Sequence, residues 1–376
     1  MLFIQDPDYT RSVLLHDAIL DIIDKAIYGI GTYAFVTNEG LQLLIESENF
    51  EKFISKDESK FILLMGIDEV TNTRTLVKAR ALAEKYDKLT IKVFFDKNSS
   101  NTYHSKYNFF KTEQGGALVI GSGNLTLKGL RKNREAFTIT EVNDIDFSKI
   151  ELEWEVWLRE NDEFIKDLDD EEVIMKADEN AKRRQSKIQK RKKKSDNGVK
   201  IDEKINKSED EIDAWEFETD SRVLVAEFPK NRWGQAGFHK ETISDFYKVN
   251  IELFRETLVI LRNVLADGTV NEIENRIIKY KKASKNYYFE ITTPENSSYP
   301  ESGQRPVVVF IEIALRTYLY MLLMPEDENY NELSEYMISN RAGEKCAQEI
   351  INVETLKSIS PKLRLLEYLD KFVDLE

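Results

Sequence analysis

The chain has 376 residues, a formal net charge of −14, and 41% hydrophobic and 11% aromatic residues. That length exceeds what one core serves, so two or three domains are expected, and the apolar share excludes a disordered chain. One cysteine, Cys346, and three histidines, His16, His104 and His239, exclude a disulfide framework and a Cys- or His-rich zinc site. The acidic balance argues against a surface that embraces nucleic acid or anionic lipid everywhere, while leaving room for a basic face.

The opening Met1–Asp6 shows no basic segment followed by a long apolar run, so no export signal is read there. The longest apolar stretch, Pro306 to Pro325, carries Glu312 and Arg316, which makes it buried strands or a core helix rather than a membrane span. A cytoplasmic protein without membrane attachment is the expectation.

In chain order, apolar spacing predicts a helix over Val13–Ile27 and a buried strand over Thr32–Val36. A helix over Leu41–Ile54, a strand over Phe61–Met65 and an amphipathic helix over Arg74–Tyr86 follow. Strands are then expected over Leu89–Phe95, Tyr103–Phe110 and Ala117–Ile120. Such alternation implies an α/β domain, residues 1–150, around a largely parallel or mixed sheet.

After Glu151 the composition changes. Asp167–Glu172 is acidic, and Lys176 to Lys194 holds ten Lys or Arg residues, with mixed charge continuing to Asp213. A charged helix feeding a flexible linker over residues 151–214 is expected, because little apolar surface offsets the cost of ordering. From Trp215 to the end, residues 215–376, the pattern is strand-rich: Arg222–Phe228, Asn286–Thr292 and Val307–Leu323, with helix-like Lys240–Tyr247, Val270–Tyr280 and Leu356–Lys371. Two polar loops, Pro229–Phe238 and Thr293–Arg305, interrupt this α+β or barrel-like second domain.

The chemically informative segment begins Tyr103-His104-Ser105-Lys106 and continues through Gly121-Ser122-Gly123-Asn124 to Asn133-Arg134-Glu135. In a strand, residues two apart share a face, so His104 and Lys106 project together. A glycine-flanked turn after an apolar strand lets the backbone approach an anion. An imidazole, an ammonium and a carboxamide converging there suit a phosphodiester: His104 attacks phosphorus while Lys106 and Asn124 hold non-bridging oxygens. Glu135 could orient the imidazole or hold Lys106. No metal ion or other cofactor is needed for this chemistry.

The combination resembles the phospholipase D superfamily, whose motif is His-x-Lys, a spacer, an Asp, then Gly-Ser-x-Asn; here Lys111 stands where that Asp is usual. With Asp missing and Glu135 following Asn124, it is more similar to the phospholipase D-like type II restriction endonucleases of the BfiI and NgoFVII kind. The resemblance implies a metal-independent nuclease in which two chains share one composite site. It makes His104 the nucleophile that forms a phosphohistidine, and its copy in a second chain the general acid. Lys106 and Asn124 hold the phosphate, Ser122 lies beside it, and Glu135 is the orienting carboxylate. The chain has a single His-x-Lys set, since His16 and His239 do not repeat it, and a homodimer supplies the second.

The resemblance extends to a DNA-reading pseudobarrel similar to the B-three domain of plant transcription factors, so the implied fold is an α/β phospholipase D-like domain and a β-rich (α+β) pseudobarrel joined by a charged linker. Arg222–Gln235 looks like a first strand and arm, and Asn296–Arg305 like the second arm. Arg232, Asn231, Gln235, Gln304 and Arg305 are candidate base readers, since Arg, Asn and Gln make bidentate contacts to purine edges. Lys230 and Lys240 suit phosphates, and Trp233 is a loop anchor or DNA contact. The basic run Lys182–Lys194 reads as a solvated linker, His16 as a packed histidine, and Cys346 as buried rather than reactive.

The chain contains no Gly-x-x-x-x-Gly-Lys-Ser/Thr run, so ATP would enter only through a helicase-like partner ATPase. The leading reading is a homodimeric enzyme cutting double-stranded DNA at a specific site, with a cognate DNA methyltransferase as partner. The alternatives are a low-specificity phospholipase D-like nuclease or phosphodiesterase, and a non-catalytic DNA-binding regulator.

Overall fold

The computed structural model describes all residues except 10, 69, 98–101, 196–216, 218, 229–233, 253–255, 283–285, 294–299, 301–303, 342–345 and 371–376; the side chains of 184–195 and 369–370 are likewise outside the description. The chain divides into two compact units, Met1–Ala214 and Trp215–Glu376. Among the described residues no helix is long and apolar enough to cross a membrane.

The first unit runs β1 (Leu2–Gln5), α1 (Leu15–Ile23), β2 (Ala26–Tyr33), α2 (Asn38–Ile45), α3 (Glu48–Ile54), β3 (Lys60–Gly66), α4 (Thr73–Lys85), β4 (Leu89–Phe94), β5 (Lys106–Thr112), β6 (Gly115–Gly121), β7 (Glu135–Val142), α5 (Asp144–Glu160), β8 (Ile165–Lys166) and α6 (Glu171–Ser195). Its eight-stranded sheet has the order β1-β7-β6-β5-β2-β3-β4-β8. The centre β2-β3-β4 is parallel and the remaining pairings are antiparallel, giving the expected mixed sheet.

Local chemistry explains where the elements break. The segment expected as one helix over Leu41–Ile54 is two. Ser47 Oγ donates to the Leu44 carbonyl at 2.7 Å and accepts from the Phe50 amide at 3.2 Å, ending α2 and capping α3. The strand expected over Thr32–Val36 instead ends at Tyr33.

The first unit also continues beyond residue 150, correcting the expected start of a linker at 151. Phe147 and Trp154 of α5 pack into a core with Ile30, Leu64 and Phe109. Strand β8 pairs with β4. The charged helix α6 docks through a narrow stripe: Val173 and Ala177 are buried, and Asn180 Nδ2 donates to the carbonyls of Ile67 and Thr71 at 2.6 and 2.8 Å. Such a stripe, one residue wide per turn, is outweighed in any compositional reading by the charges around it. Most of the basic run, residues 184–194, lies outside the described side chains.

The second unit comprises β9 (Arg222–Glu227), β10 (Gln235–Phe238), α7 (Lys240–Asp245), β11 (Thr257–Val264), β12 (Val270–Lys281), β13 (Asn286–Glu290), β14 (Val307–Ala314), β15 (Thr317–Leu323), α8 (Tyr330–Asn340), β16 (Gln348–Asn352), α9 (Val353–Ile359) and α10 (Glu367–Asp370). The sheet order is β10-β13-β12-β11-β15-β14-β9-β16. One side chain joins the two end strands: Gln348 of β16 donates to the Gly237 carbonyl of β10 at 2.9 Å and accepts from the His239 amide at 3.1 Å. The core is aromatic, with Phe238, Phe246, Tyr247, Phe289, Phe310 and Tyr318 in one buried cluster.

Two expectations are corrected here. Val270–Tyr280 is a strand, not a helix: Val270, Ile273, Ile277 and Tyr280 match helical spacing, but the Asp267-Gly268 turn closes a hairpin onto β11. Gly268 takes φ +86°, the left-handed conformation that such a turn requires. The segment expected as a helix over Leu356–Lys371 stops at Ile359, before Ser360-Pro361, and resumes only in short turns.

Candidate active site

The candidate residues of the first unit gather at one end of its sheet. Strand β5 starts with Lys106 opposite Tyr33, the last residue of β2, and β6 ends at Gly121, so the loop Ser122–Asn124 leaves from the same edge. Strand β7 begins there with Glu135, opposite Gln5 of β1. His104 lies in the approach to β5 rather than inside it, so the shared strand face expected for His104 and Lys106 does not account for their meeting. The lysine reaches back instead. Its Nζ lies 3.1 Å from both ring nitrogens of His104 and 3.3 Å from the His104 carbonyl oxygen.

Phe35, just beyond β2, ties the two motifs together. Its ring meets the exposed His104 imidazole edge-on at 6.1 Å between centroids, and its amide donates to Asn124 Oδ1 at 3.1 Å. Fixing Oδ1 this way leaves the Nδ2 group of Asn124 as a donor. The Leu125 carbonyl accepts from the Thr37 amide at 3.1 Å, which pins the same loop against the start of α2.

Ser122 donates its hydroxyl to Glu135 Oε2, and Asn133 Nδ2 donates to Oε1 at 3.2 Å. Glu135 is 9% exposed, and its carboxyl is held from two sides. Ser122 Oγ also accepts from the Ala136 amide at 3.1 Å, so this serine positions the carboxylate while it closes the turn between β6 and β7.

The loop is braced from behind by a π-helical turn, Lys128–Lys132. Gly129 packs so closely that a Cβ there would lie 2.6 Å from the Asn124 nitrogen and 2.5 Å from its carbonyl oxygen. Gln5 Nε2 donates to the carbonyls of Gly129 and Asn133 at 3.1 and 3.0 Å. Arg131 of the same turn is fully buried; its Nη1 lies 2.6 Å from Asp17 Oδ1 and 2.7 Å from His16 Nδ1. His16 Nε2 in turn donates to the Leu43 carbonyl at 2.8 Å, so His16 is a packed histidine whose Nδ1 accepts from the guanidinium. Burial holds its pKa below the ordinary histidine value.

Lys111, at the position where the superfamily motif has its Asp, sits towards the other end of β5 and pairs with Asp144. Beside His104 opens a groove of about 860 Å³ whose walls include Tyr103, Tyr107, Trp154 and Trp157. Burial raises the hydroxyl pKa values of Tyr103 and Tyr107, so both rings stay uncharged. Among the described residues no group of three or more His, Cys, Asp or Glu side chains is arranged to hold a metal ion.

The residues expected to contact DNA belong to the second unit. Gln235 opens β10, and Lys240 is the first residue of α7. Lys230, Asn231, Arg232 and Trp233 lie outside the described residues. Gln304 is exposed just before β14. Arg305 is half-buried; its Nη1 lies 2.7 Å from Cys346 Sγ, and its carbonyl accepts from the Tyr330 hydroxyl at 2.9 Å. Cys346 is only half-buried, against the expectation of a buried thiol, and desolvation pushes its pKa up. In sheet order, β13, β12, β11 and β15 lie between the strand that carries Gln235 and the strand that Gln304 and Arg305 precede.

Sequence reasoning missed Asn133, Gln5 and the Arg131–Asp17–His16 cluster. Asn133 was within reach, two residues before Glu135 and so able to share its turn. Gln5 and Asp17 are more than a hundred residues from their partners and carry no local signal.

No family model matches the chain, and no curated protein matches it. Among solved structures, NucT from Helicobacter pylori is similar over 44% of this chain and 96% of its own, at 14% identity and a TM-score of 0.31. The phospholipase D family member Nuc from Salmonella typhimurium is similar over 44% and 97%, at 13% identity and a TM-score of 0.31. The N-terminal domain of Helicobacter pylori LlaJI.R1 is similar over 35% and 97%, at 10% identity and a TM-score of 0.24. These likenesses are weak, and the function proposed below rests on the geometry of the site.

Proposed function

We propose that the chain is a phospholipase D-like endonuclease that hydrolyses phosphodiester bonds of double-stranded DNA at a short specific site, through a phosphohistidine on His104. The observation that carries this reading is the convergence of His104, Lys106, Asn124 and Glu135 at one sheet end, with Phe35 in contact with both His104 and Asn124. A ring nitrogen of His104 attacks phosphorus, and the bond to the leaving deoxyribose oxygen breaks. Lys106 Nζ and Asn124 Nδ2 hold the non-bridging oxygens as charge redistributes in the transition state. The leaving oxygen takes a proton from the equivalent histidine of a second copy. Water then attacks phosphorus, gives its proton to that histidine, and returns the P–N electron pair to His104. The positive charge that stabilises the phosphate comes from Lys106, so the scheme uses no metal ion.

The composite site requires a homodimer. Exposed apolar side chains would suit contact with a second copy: Ile145 and Leu152, seven residues apart on α5, are 71% and 59% exposed, and Ile120, in the groove beside His104, is 49% exposed. The second unit serves as the DNA-reading module, with a cognate methyltransferase protecting host sites and any ATP dependence arising from a separate ATPase.

The test is incubation of the purified chain with mixed plasmid and genomic DNA in excess EDTA. Discrete fragments support a specific nuclease and give the site by end sequencing. A smear replaces it with a low-specificity nuclease. Absence of cutting, also with magnesium, ATP and a candidate ATPase added, replaces it with a DNA-binding module.

A further inference from the structure

The outward face of β10, β13 and β12 carries a feature that the fold does not require. Gly237 stands within β10 between the buried Ala236 and Phe238, so its missing side chain would point outward. Glycine weakens a strand interior, and one placed there often marks close approach by something outside the sheet. Among the described residues nothing demands it. Gly237 is not among the positive-φ glycines, and a Cβ built on it would meet no heavy atom within 4 Å.

What lies beside it has a definite chemistry. Gly237 pairs with Tyr288, and Tyr288 with Lys279, so the three form one row across three strands. Tyr288 is half-buried and Lys279 exposed, while Tyr287, Phe289 and Ile278 point into the core. Lys281 is two residues along on the same face. Among the described residues no carboxylate pairs with Lys279 or Lys281, so both ammonium groups are available to an anion. A shallow groove of about 440 Å³ opens beside this row, at the paired Gln235 and Glu290, with Lys281 also among its walls.

We propose that this face, centred on the Gly237–Tyr288–Lys279 row, seats the phosphodiester backbone of duplex DNA. Lys279 and Lys281 neutralise phosphates, the Tyr288 hydroxyl donates to a phosphate oxygen, and Gly237 lets the backbone come close to the strand. Gln235 and Glu290, opposite one another at the groove, have the acceptors and donors to meet base edges, Glu290 facing a cytosine amino group rather than a phosphate. The proposal rests on the reading of the second unit as the DNA module.

Gly237→Val tests it without threatening the fold, since valine is the better strand residue and has room. Binding of a labelled duplex is measured by fluorescence anisotropy across a salt series, with the full chain carrying His104→Ala to prevent cutting. The expectation is that Gly237→Val weakens binding about tenfold or more while melting no lower than its parent, and that Lys279→Gln with Lys281→Gln lowers the salt slope by about two. Parent-like affinity and slope in both variants would overturn the proposal, as would a change in oligomeric state with DNA affinity intact, which would make the face a protein contact. Wild type that cuts DNA while these variants bind normally removes this face alone; a chain that neither binds nor cuts DNA removes the functional reading with it.

Discussion

The backbone amide of Phe35 donates to Oδ1 of Asn124 at 3.1 Å, so a residue following β2 decides which end of the Asn124 carboxamide is left to donate to a ligand. Asn124→Asp keeps the acceptor for Phe35 and removes the donor, placing a negative charge where a phosphate oxygen would sit. This variant is expected to melt like wild type and to lose about 100-fold or more in single-turnover cleavage. Retained cleavage would detach Asn124 from the phosphate.

Asn133 holds the Glu135 oxygen that Ser122 does not. Asn133→Ala should therefore lower the cleavage rate about tenfold, the value of one hydrogen bond of about 1.4 kcal/mol, with DNA affinity unchanged. A rate equal to wild type would show that Ser122 alone suffices to set the carboxylate.

The buried His16 gives the first unit a pH dependence. Burial is the main cause that lowers its pKa, and the Arg131 guanidinium adds to it. The folded state therefore keeps His16 neutral while the unfolded chain, with an ordinary pKa near 6.5, takes up a proton as pH falls. This contribution is fully present above that pKa and declines below it, by up to about 1.4 kcal/mol per pH unit until the folded pKa is reached. His16→Gln, which can still accept from Arg131 and donate to Leu43, should flatten the urea midpoint of the first unit between about pH 7.5 and 5.5. An unchanged slope would assign the acid sensitivity to other groups.

Leu152 stands exposed on α5, one heptad from Ile145. If this helix face meets a second copy, Leu152→Lys buries a charge there, which costs far more than the leucine contact it replaces. Sedimentation should then show a folded monomer without nuclease activity. A monomeric wild-type chain that cuts DNA would remove the shared site.

How much of this was legible in the sequence follows from how local each signal is. The His104-x-Lys106 and Ser122-x-Asn124 pairs lie close together in sequence, and their expected meeting agrees with the contact at 3.1 Å and the link through Phe35. The reason given for the first pair was incomplete, because β5 starts only at Lys106 and it is the flexible lysine that reaches its neighbour. β12 was misread because Val270, Ile273 and Ile277 satisfy helical spacing, and only the hairpin partner β11, itself unrecognised, makes them a strand. The docking of α6 was hidden because Asn180, whose amide satisfies two carbonyls over a hundred residues away, looks like any other polar residue in a charged run. Long-range polar satisfaction of this kind is decided by the fold and leaves no mark on the neighbouring sequence.

The central claim is that His104 forms a bond to phosphorus, and the most direct measurement traps it. Wild-type chain and His104→Ala are mixed with internally labelled substrate DNA in excess EDTA, quenched in alkaline denaturant during turnover, and resolved on a denaturing gel. The account predicts a labelled protein–DNA band with wild type that survives alkali and is lost on mild acid treatment, as a phosphorus–nitrogen bond would be, and no band or cleavage with His104→Ala. Cleavage by His104→Ala at the wild-type rate, with no adduct in either protein, would contradict it.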